Sequence, residues 1–150
     1  MISKLKFLLV AIVGIVVLSA CQEDEYGDWK TLNLRWYEQH KDDPGFVRTE
    51  SGLCYRIIHQ GYLRNPNANS RIYVDYTGRL IDGTRFDSGK YYPYLAETIA
   101  GWQEGIPLMK GGARFQFYIP AALGYGEDGQ GTIPPHSVLI FDITLIESFN

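Results

Sequence analysis

The chain has 150 residues, a formal net charge of −3, 16 glycines and 14% aromatic residues, 11 of them tyrosine. That length accommodates one domain with a short extension, and the mild negative charge excludes the basic footprint of a nucleic-acid-binding protein. Abundant aromatics and glycines lean towards β-structure. At the start of the chain, Lys4 and Lys6 precede an apolar run from Phe7 to Leu18, closed by Ser19 and Ala20. The run is too short to cross a bilayer comfortably and suits the apolar region of a cleavable signal peptide. A single membrane-spanning anchor is the competing reading.

Leu18-Ser19-Ala20-Cys21 resembles the lipobox of bacterial lipoproteins. The resemblance implies cleavage before Cys21 and lipid attachment to Cys21. The chain then divides into a signal peptide over 1–20, a lipidated tether with a short helix over 21–50, and a main domain over 51–150. Each buried methylene adds about 0.8 kcal/mol of membrane affinity, so several acyl chains hold the protein at a membrane. The implied location is the cell envelope, with the protein lipid-anchored at the outer membrane on its periplasmic or surface face. Two readings of Gln22-Glu23-Asp24-Glu25 stay open: a solvated tether, or a sorting signal similar to the acidic surface-export signal of Bacteroidetes lipoproteins.

Residues 26–50 read as a linker with one helix. Trp29, Leu32, Trp36 and Tyr37 fall at helical spacing, with Leu34 off that face and Asp28 placed to cap the N-terminus. Asp43-Pro44-Gly45 stops the helix. A helix with two tryptophans on one face needs a surface to cover, and the main domain is the expected one. Once Cys21 is acylated, Cys54 is left as the one free thiol, expected as a small buried apolar residue in a strand.

From residue 51 the pattern is that of strands. Leu53, Tyr55 and Ile57 alternate with Cys54, Arg56 and Ile58, and Ile72, Val74 and Tyr76 alternate with Tyr73, Asp75 and Thr77. Gly61 to Ser70 is a polar loop, and Asp82-Gly83 marks a hairpin turn. Phe115, Phe117 and Ile119 alternate with Arg114, Gln116 and Tyr118, and Val138 to Ile146 is an apolar run of the kind found at the centre of a sheet. One helix is predicted over Ala96–Ile106, shortened by Gly101 and Gly105. The sum is an α+β domain: about five antiparallel strands wrapped on one short helix.

His40, His59 and His136 show no metal-ligand spacing, and no Gly-x-Ser-x-Gly is present, so neither a metal site nor a cofactor is expected. Gly124, Gly126 and Gly129 spell a Gly-x-Gly-x-x-Gly, but Ile133-Pro134-Pro135 follows where a dinucleotide fingerprint must open a helix.

Four further segments carry a joint signal. They are Tyr76-Thr77-Gly78-Arg79-Leu80-Ile81-Asp82-Gly83-Thr84-Arg85-Phe86-Asp87-Ser88, Ile99-Ala100-Gly101-Trp102-Gln103-Glu104-Gly105, Tyr125-Gly126, and Ile133-Pro134-Pro135-His136-Ser137-Val138-Leu139-Ile140-Phe141-Asp142. In type, spacing and order they resemble the FKBP family of macrolide-binding peptidyl-prolyl cis-trans isomerases, over about Gly52 to Ile146. The resemblance implies an antiparallel half-barrel sheet wrapped around one short helix. It also implies a proline pocket in which Tyr76, Phe86 and Phe141 form walls and Trp102 the floor. Asp87 hydrogen-bonds at the mouth, Ile99 offers its backbone N–H to the substrate carbonyl, and Tyr125 supplies a hydroxyl. Thr98 and Ile133 belong to the substrate-binding surface. Two features depart from the family pattern. The stretch between Asp87 and Ile99 is short and carries Tyr91, Tyr92, Pro93 and Tyr94, so the aromatic wall residue expected there has no assigned counterpart, and Thr98 stands where an aliphatic residue is usual.

The function implied is isomerisation of X–Pro bonds in exported proteins, without an acid, base or nucleophile. The implied partners are proline-containing polypeptides, macrolide inhibitors and, through the lipid, the membrane. Competing readings are a chaperone-like binding module for envelope proteins that uses the same pocket with little catalysis, and a structural lipoprotein that reuses the fold for a partner contact.

Overall fold

The computed structural model describes residues 25–150, so the segment read as a signal peptide and Cys21 lie outside the described residues. Helix α1 (Gly27–His40) comes first, followed by β1 (Val47–Arg48), β2 (Cys54–His59), β3 (Arg71–Arg79) and β4 (Arg85–Tyr91). Helix α2 (Ala100–Gly105) is flanked by 3-10 turns at Leu95–Glu97 and Ile106–Leu108. Strand β5 (Arg114–Ile119), a 3-10 turn at Ala121–Leu123 and β6 (Leu139–Phe149) complete the order.

The strands form one antiparallel sheet in the order β1-β2-β5-β6-β3-β4. This is the expected α+β arrangement, with the two-residue edge strand β1 raising the count to six. The apolar run read from Val138 becomes β6, and it lies between β5 and β3 at the centre. Alternation decides what β6 buries: Leu139, Phe141, Ile143 and Leu145 point into the core, while Ile140, Asp142 and Thr144 are partly covered on the other face. Arg114 from β5 makes a two-pronged contact with Asp142 there, at 2.9 and 2.8 Å.

The α2 region fills the inner face of the sheet. The helix predicted as continuous over 96–106 is instead a 3-10 turn, an extended break at Thr98 and Ile99, and six residues of α-helix. Gly101 and Gly105 do more than shorten it. A Cβ at Gly101 would stand 2.6 Å from Ile119 and one at Gly105 2.5 Å from Phe117, so both glycines let the helix backbone lie directly on β5. Phe115, Phe117, Ile119, Ile106, Met109 and Leu53 form the packed centre.

Helix α1 covers the domain as expected, with Trp29, Trp36 and Tyr37 on the covered side, but Leu32 does not belong to that face. Leu32 is 49% exposed, and Asn33 is the buried residue of the helix. Nor does Asp28 cap it: it sits inside the first turn, Tyr26 occupies the cap position, and no side chain bonds there. Trp36 stacks on His40 and meets the edge of Tyr118, while the Tyr37 hydroxyl donates to the Gly52 carbonyl at 2.5 Å. Cys54 is fully buried at the start of β2, as its apolar character predicts.

Candidate active site

The residues singled out in the sequence converge from six parts of the chain. Strand β3 brings Tyr76, β4 brings Phe86 and Asp87, the break before α2 brings Thr98 and Ile99, and α2 itself brings Trp102. Tyr125 and Ile133 come from the loop before β6, and Phe141 from β6. All nine line one open cavity of about 650 Å³.

Ladder register explains the convergence. Gly78 of β3 lies opposite both Asp87 in β4 and Phe141 in β6, so three strands meet at one level of the sheet. Gly78 also makes room: a Cβ there would stand 2.4 Å from the Phe86 ring and 2.9 Å from the Phe141 ring. The rings then pack edge to face. Trp102 and Phe141 have centroids 5.3 Å apart, Tyr76 and Trp102 5.2 Å, and Phe86 and Phe141 5.5 Å. This geometry suits the ring quadrupoles. Trp102 and Phe141 are buried and belong to the hydrophobic core as well as to the cavity lining.

Polar groups occupy the rim. The Tyr76 hydroxyl donates to Asp87 Oδ2, and Asp87 Oδ1 accepts the Ser88 N–H at 2.9 Å. Burial, then the bond to Asp87, raises the Tyr76 phenol above its ordinary value. Burial, then the charge of Asp87, does the same to Tyr125. Both phenols are therefore neutral donors at physiological pH. Ile99 is extended just ahead of α2, and its carbonyl accepts the Trp102 and Gln103 N–H groups at 3.0 and 3.1 Å. Among the described residues no group accepts from its own N–H. The Thr98 hydroxyl turns back to the Leu95 carbonyl at 2.7 Å.

Sequence reasoning left one wall unassigned, and Tyr91 fills it, its ring 6.4 Å from Tyr76. Tyr92 and Tyr94 are engaged elsewhere, with the Arg71 guanidinium 4.2 and 5.3 Å from their ring centres. The signal was available: counting by twos along β4 from Asp87 reaches Gly89 and then Tyr91 on the same face. Glu97 and residues 130–132 also border the cavity and were not foreseen. The latter belong to the loop whose Gln130 and Ile133 exchange two backbone bonds, at 3.0 and 2.8 Å.

A family model described as FKBP-type peptidyl-prolyl cis-trans isomerase matches residues 63–146, which includes every residue lining the cavity. The chain belongs to this FKBP family. Among its relatives, the FKBP-type peptidyl-prolyl cis-trans isomerase FkpA of Aeromonas hydrophila is 44% identical over 108 residues, covering 68% of this chain and 40% of the relative. Outer membrane protein MIP of Legionella longbeachae is 42% identical over 113 residues, covering 71% of this chain and 48% of the relative. The chain thus spans less than half the length of these two relatives. A crystal structure of a peptidyl-prolyl cis-trans isomerase from Pseudomonas syringae superposes with a TM-score of 0.79 at 28% identity, covering 87% of this chain and all of that one. The half-barrel of the FKBP fold is therefore present, and the aromatic cavity lies within its matched core.

Proposed function

We propose that this FKBP domain catalyses cis–trans isomerisation of X–Pro bonds in exported polypeptides. The observation that supports it best is the cavity itself: a floor and walls of Trp102, Phe141, Phe86, Tyr76 and Tyr91, with hydrogen-bonding groups at the rim. Rotation about an X–Pro bond meets a barrier of about 18–20 kcal/mol, because amide resonance is broken on the way, and uncatalysed exchange takes tens of seconds. The twisted amide has less charge separation than the planar one. An apolar enclosure therefore favours it over the ground state, which is the differential binding that catalysis needs.

In this reading the proline ring stands on Trp102 between Phe86 and Phe141. The Ile99 N–H holds a substrate carbonyl, and Tyr125 and Asp87 orient the peptide at the mouth. Each tenfold in rate needs about 1.36 kcal/mol. Enclosure and one or two such hydrogen bonds are enough for three or four steps of that size. The same apolar cavity suits macrolide inhibitors.

The lipobox-like Leu18–Cys21 and the outer-membrane name of one relative support a place in the cell envelope, with the domain tethered through lipid on Cys21. Loss of labelled palmitate from Cys21→Ala in the native host checks the anchor.

The activity is tested by following cis-to-trans exchange of short Xaa-Pro peptides with the full chain in detergent, wild type beside Asp87→Ala and Phe141→Leu. Catalysis that falls in both folded variants supports the reading. Folded wild-type protein that leaves the exchange rate unchanged for several Xaa residues overturns it.

A further inference from the structure

Helix α1 stands outside the nine cavity residues, yet two of its side chains, Trp29 and Asn33, make polar contacts that reach one place. The Asn33 side chain is 1% exposed. Its Oδ1 accepts the Val138 N–H at 2.8 Å, and its Nδ2 donates to the Trp29 carbonyl at 2.8 Å, so the amide is satisfied at both ends. One turn earlier, Trp29 Nε1 donates to Ser137 Oγ at 2.9 Å, and Ser137 Oγ donates on to the Pro134 carbonyl at 2.7 Å. The Trp29 ring is itself packed against the hydrophobic core. Over a hundred residues of chain separate the two sides of these contacts.

The segment they hold is special in two ways. It carries Ile133 into the cavity at one end and leads into β6, and so to Phe141, at the other. Between them sits His136 at φ +63°, the one non-glycine among the described residues with positive φ. Such backbone is uncommon for a residue with a side chain, and it persists where neighbours over-determine it. The His136 N–H donates to the Gly126 carbonyl at 2.8 Å, next to Tyr125. Fixing Ser137 and Val138 therefore fixes the turn, and the turn is tied to the Tyr125 loop.

We infer that α1 is a positioning element of the proline pocket: through Trp29 and Asn33 it locks the 133–138 turn and thereby sets the wall formed by Ile133 and Tyr125. Neither residue touches the cavity; both act through the turn. The inference rests on the isomerase reading, because it names what positions that same site.

The test uses the full chain in detergent with two variants, Asn33→Ala and Trp29→Phe; the second keeps an aromatic ring and removes only the donor. Circular dichroism at low temperature establishes that each is folded. The affinity for an Xaa-Pro peptide, the KM and kcat for its isomerisation, and hydrogen exchange over residues 130–138 are then compared with wild type. Asn33→Ala is expected to raise Kd and KM about tenfold with kcat within twofold. Trp29→Phe is expected to change them in the same direction by a smaller factor. Exchange over 130–138 is expected to rise in both while β6 stays protected. Folded variants that bind and turn over like wild type overturn the inference and leave the isomerase reading standing. Activity lost only in proportion to the unfolded fraction also overturns it. Wild-type protein that neither binds nor isomerises the peptide overturns both.

Discussion

The Tyr76 hydroxyl donates to the Asp87 carboxylate across the β3–β4 ladder, two residues along β3 from where Gly78 faces Asp87. The bond fixes a carboxylate at the rim of an aromatic cavity and keeps the phenol protonated. Removing it with Tyr76→Phe leaves the ring in place against Trp102 and frees Asp87 to rotate. The kcat/KM for an Xaa-Pro peptide is expected to fall about tenfold, equivalent to about 1.4 kcal/mol. The urea midpoint is expected to move little, since the bond is exposed. An unchanged kcat/KM would show that the orientation of Asp87 does not matter to turnover.

Phe141 serves the core and the cavity together, being 4% exposed and in edge contact with both Trp102 and Phe86. Truncation to alanine is expected to cost about 3–5 kcal/mol of stability and at least tenfold in activity. Phe141→Leu separates the two effects: most of the volume stays, and the ring is lost. Activity well below the folded fraction in Phe141→Leu supports a wall role, whereas activity that tracks folding throughout removes it.

Gly78 is where three strands share one level, and Phe86 fills the space over it. Gly78→Ala forces the Phe86 ring towards the cavity. Overpacking of this kind costs about 1–3 kcal/mol, and the expected signature is a raised KM from a narrowed pocket. Serine at this position is expected to act in the same way. Wild-type KM in the alanine variant, with a normal melting curve, contradicts the close contact.

Tyr91 ends β4 and Tyr92 follows it, and the two differ in what they face. Tyr91→Ala is expected to change the preference among Xaa residues ahead of proline by several-fold, because it removes part of the wall. Tyr92→Ala removes contacts to Arg71 and Phe149 and is expected to leave that preference unchanged. A panel of Xaa-Pro peptides read against both variants decides it, and equal profiles for the two reject the assignment.

Alkaline pH offers a further check, this time on the α1 interface. Burial first, and then Cys54, pushes the Tyr37 phenol up to about 12, and burial with the charge of Asp43 does the same to Tyr118. A phenol whose pKa is higher when folded holds its proton longer in the native state. Its stabilising effect is complete below the unfolded value near 10 and is lost as pH rises through about 12. The urea midpoint is expected to fall between pH 9 and pH 11, and the fall is expected to shrink in Tyr37→Phe/Tyr118→Phe.

Much of this molecule can be read from its letters, for a physical reason. Strands declare themselves by alternation, so Leu53–Ile58, Ile72–Thr77 and Phe115–Ile119 were legible, and the unbroken apolar stretch at Val138 announced a central strand. Cavity residues were legible because their types, spacings and order resemble those of the FKBP family. What stayed hidden depends on contacts distant in sequence. Asn33 falls between Trp29 and Tyr37 on the helix wheel but is polar, and the Val138 N–H explains why an amide is buried there, while Leu32 looks apolar and buried but faces solvent. Gly101 and Gly105 read as helix breakers until β5 is placed beneath them. Positive φ at His136 has only a weak signature in the residue type, since histidine is enriched there but seldom adopts it. Tyr91 was obscured by its neighbours Tyr92 and Tyr94, three tyrosines of which one faces the cavity.

The sheet order has a consequence for how the molecule is made. With β6 removed, β1-β2-β5 and β3-β4 are separate ribbons that share no strand-to-strand edge. A nascent chain that has not yet presented residues 139–149 therefore holds two unfinished pieces with no common hydrogen-bonded frame. Closure requires β3 to wait for a partner more than sixty residues downstream, and such non-local pairing is slow. Until then Trp102 lacks its neighbour Phe141. A protein proposed to hasten the folding of others thus completes its own aromatic cavity only when its central strand has paired on both sides.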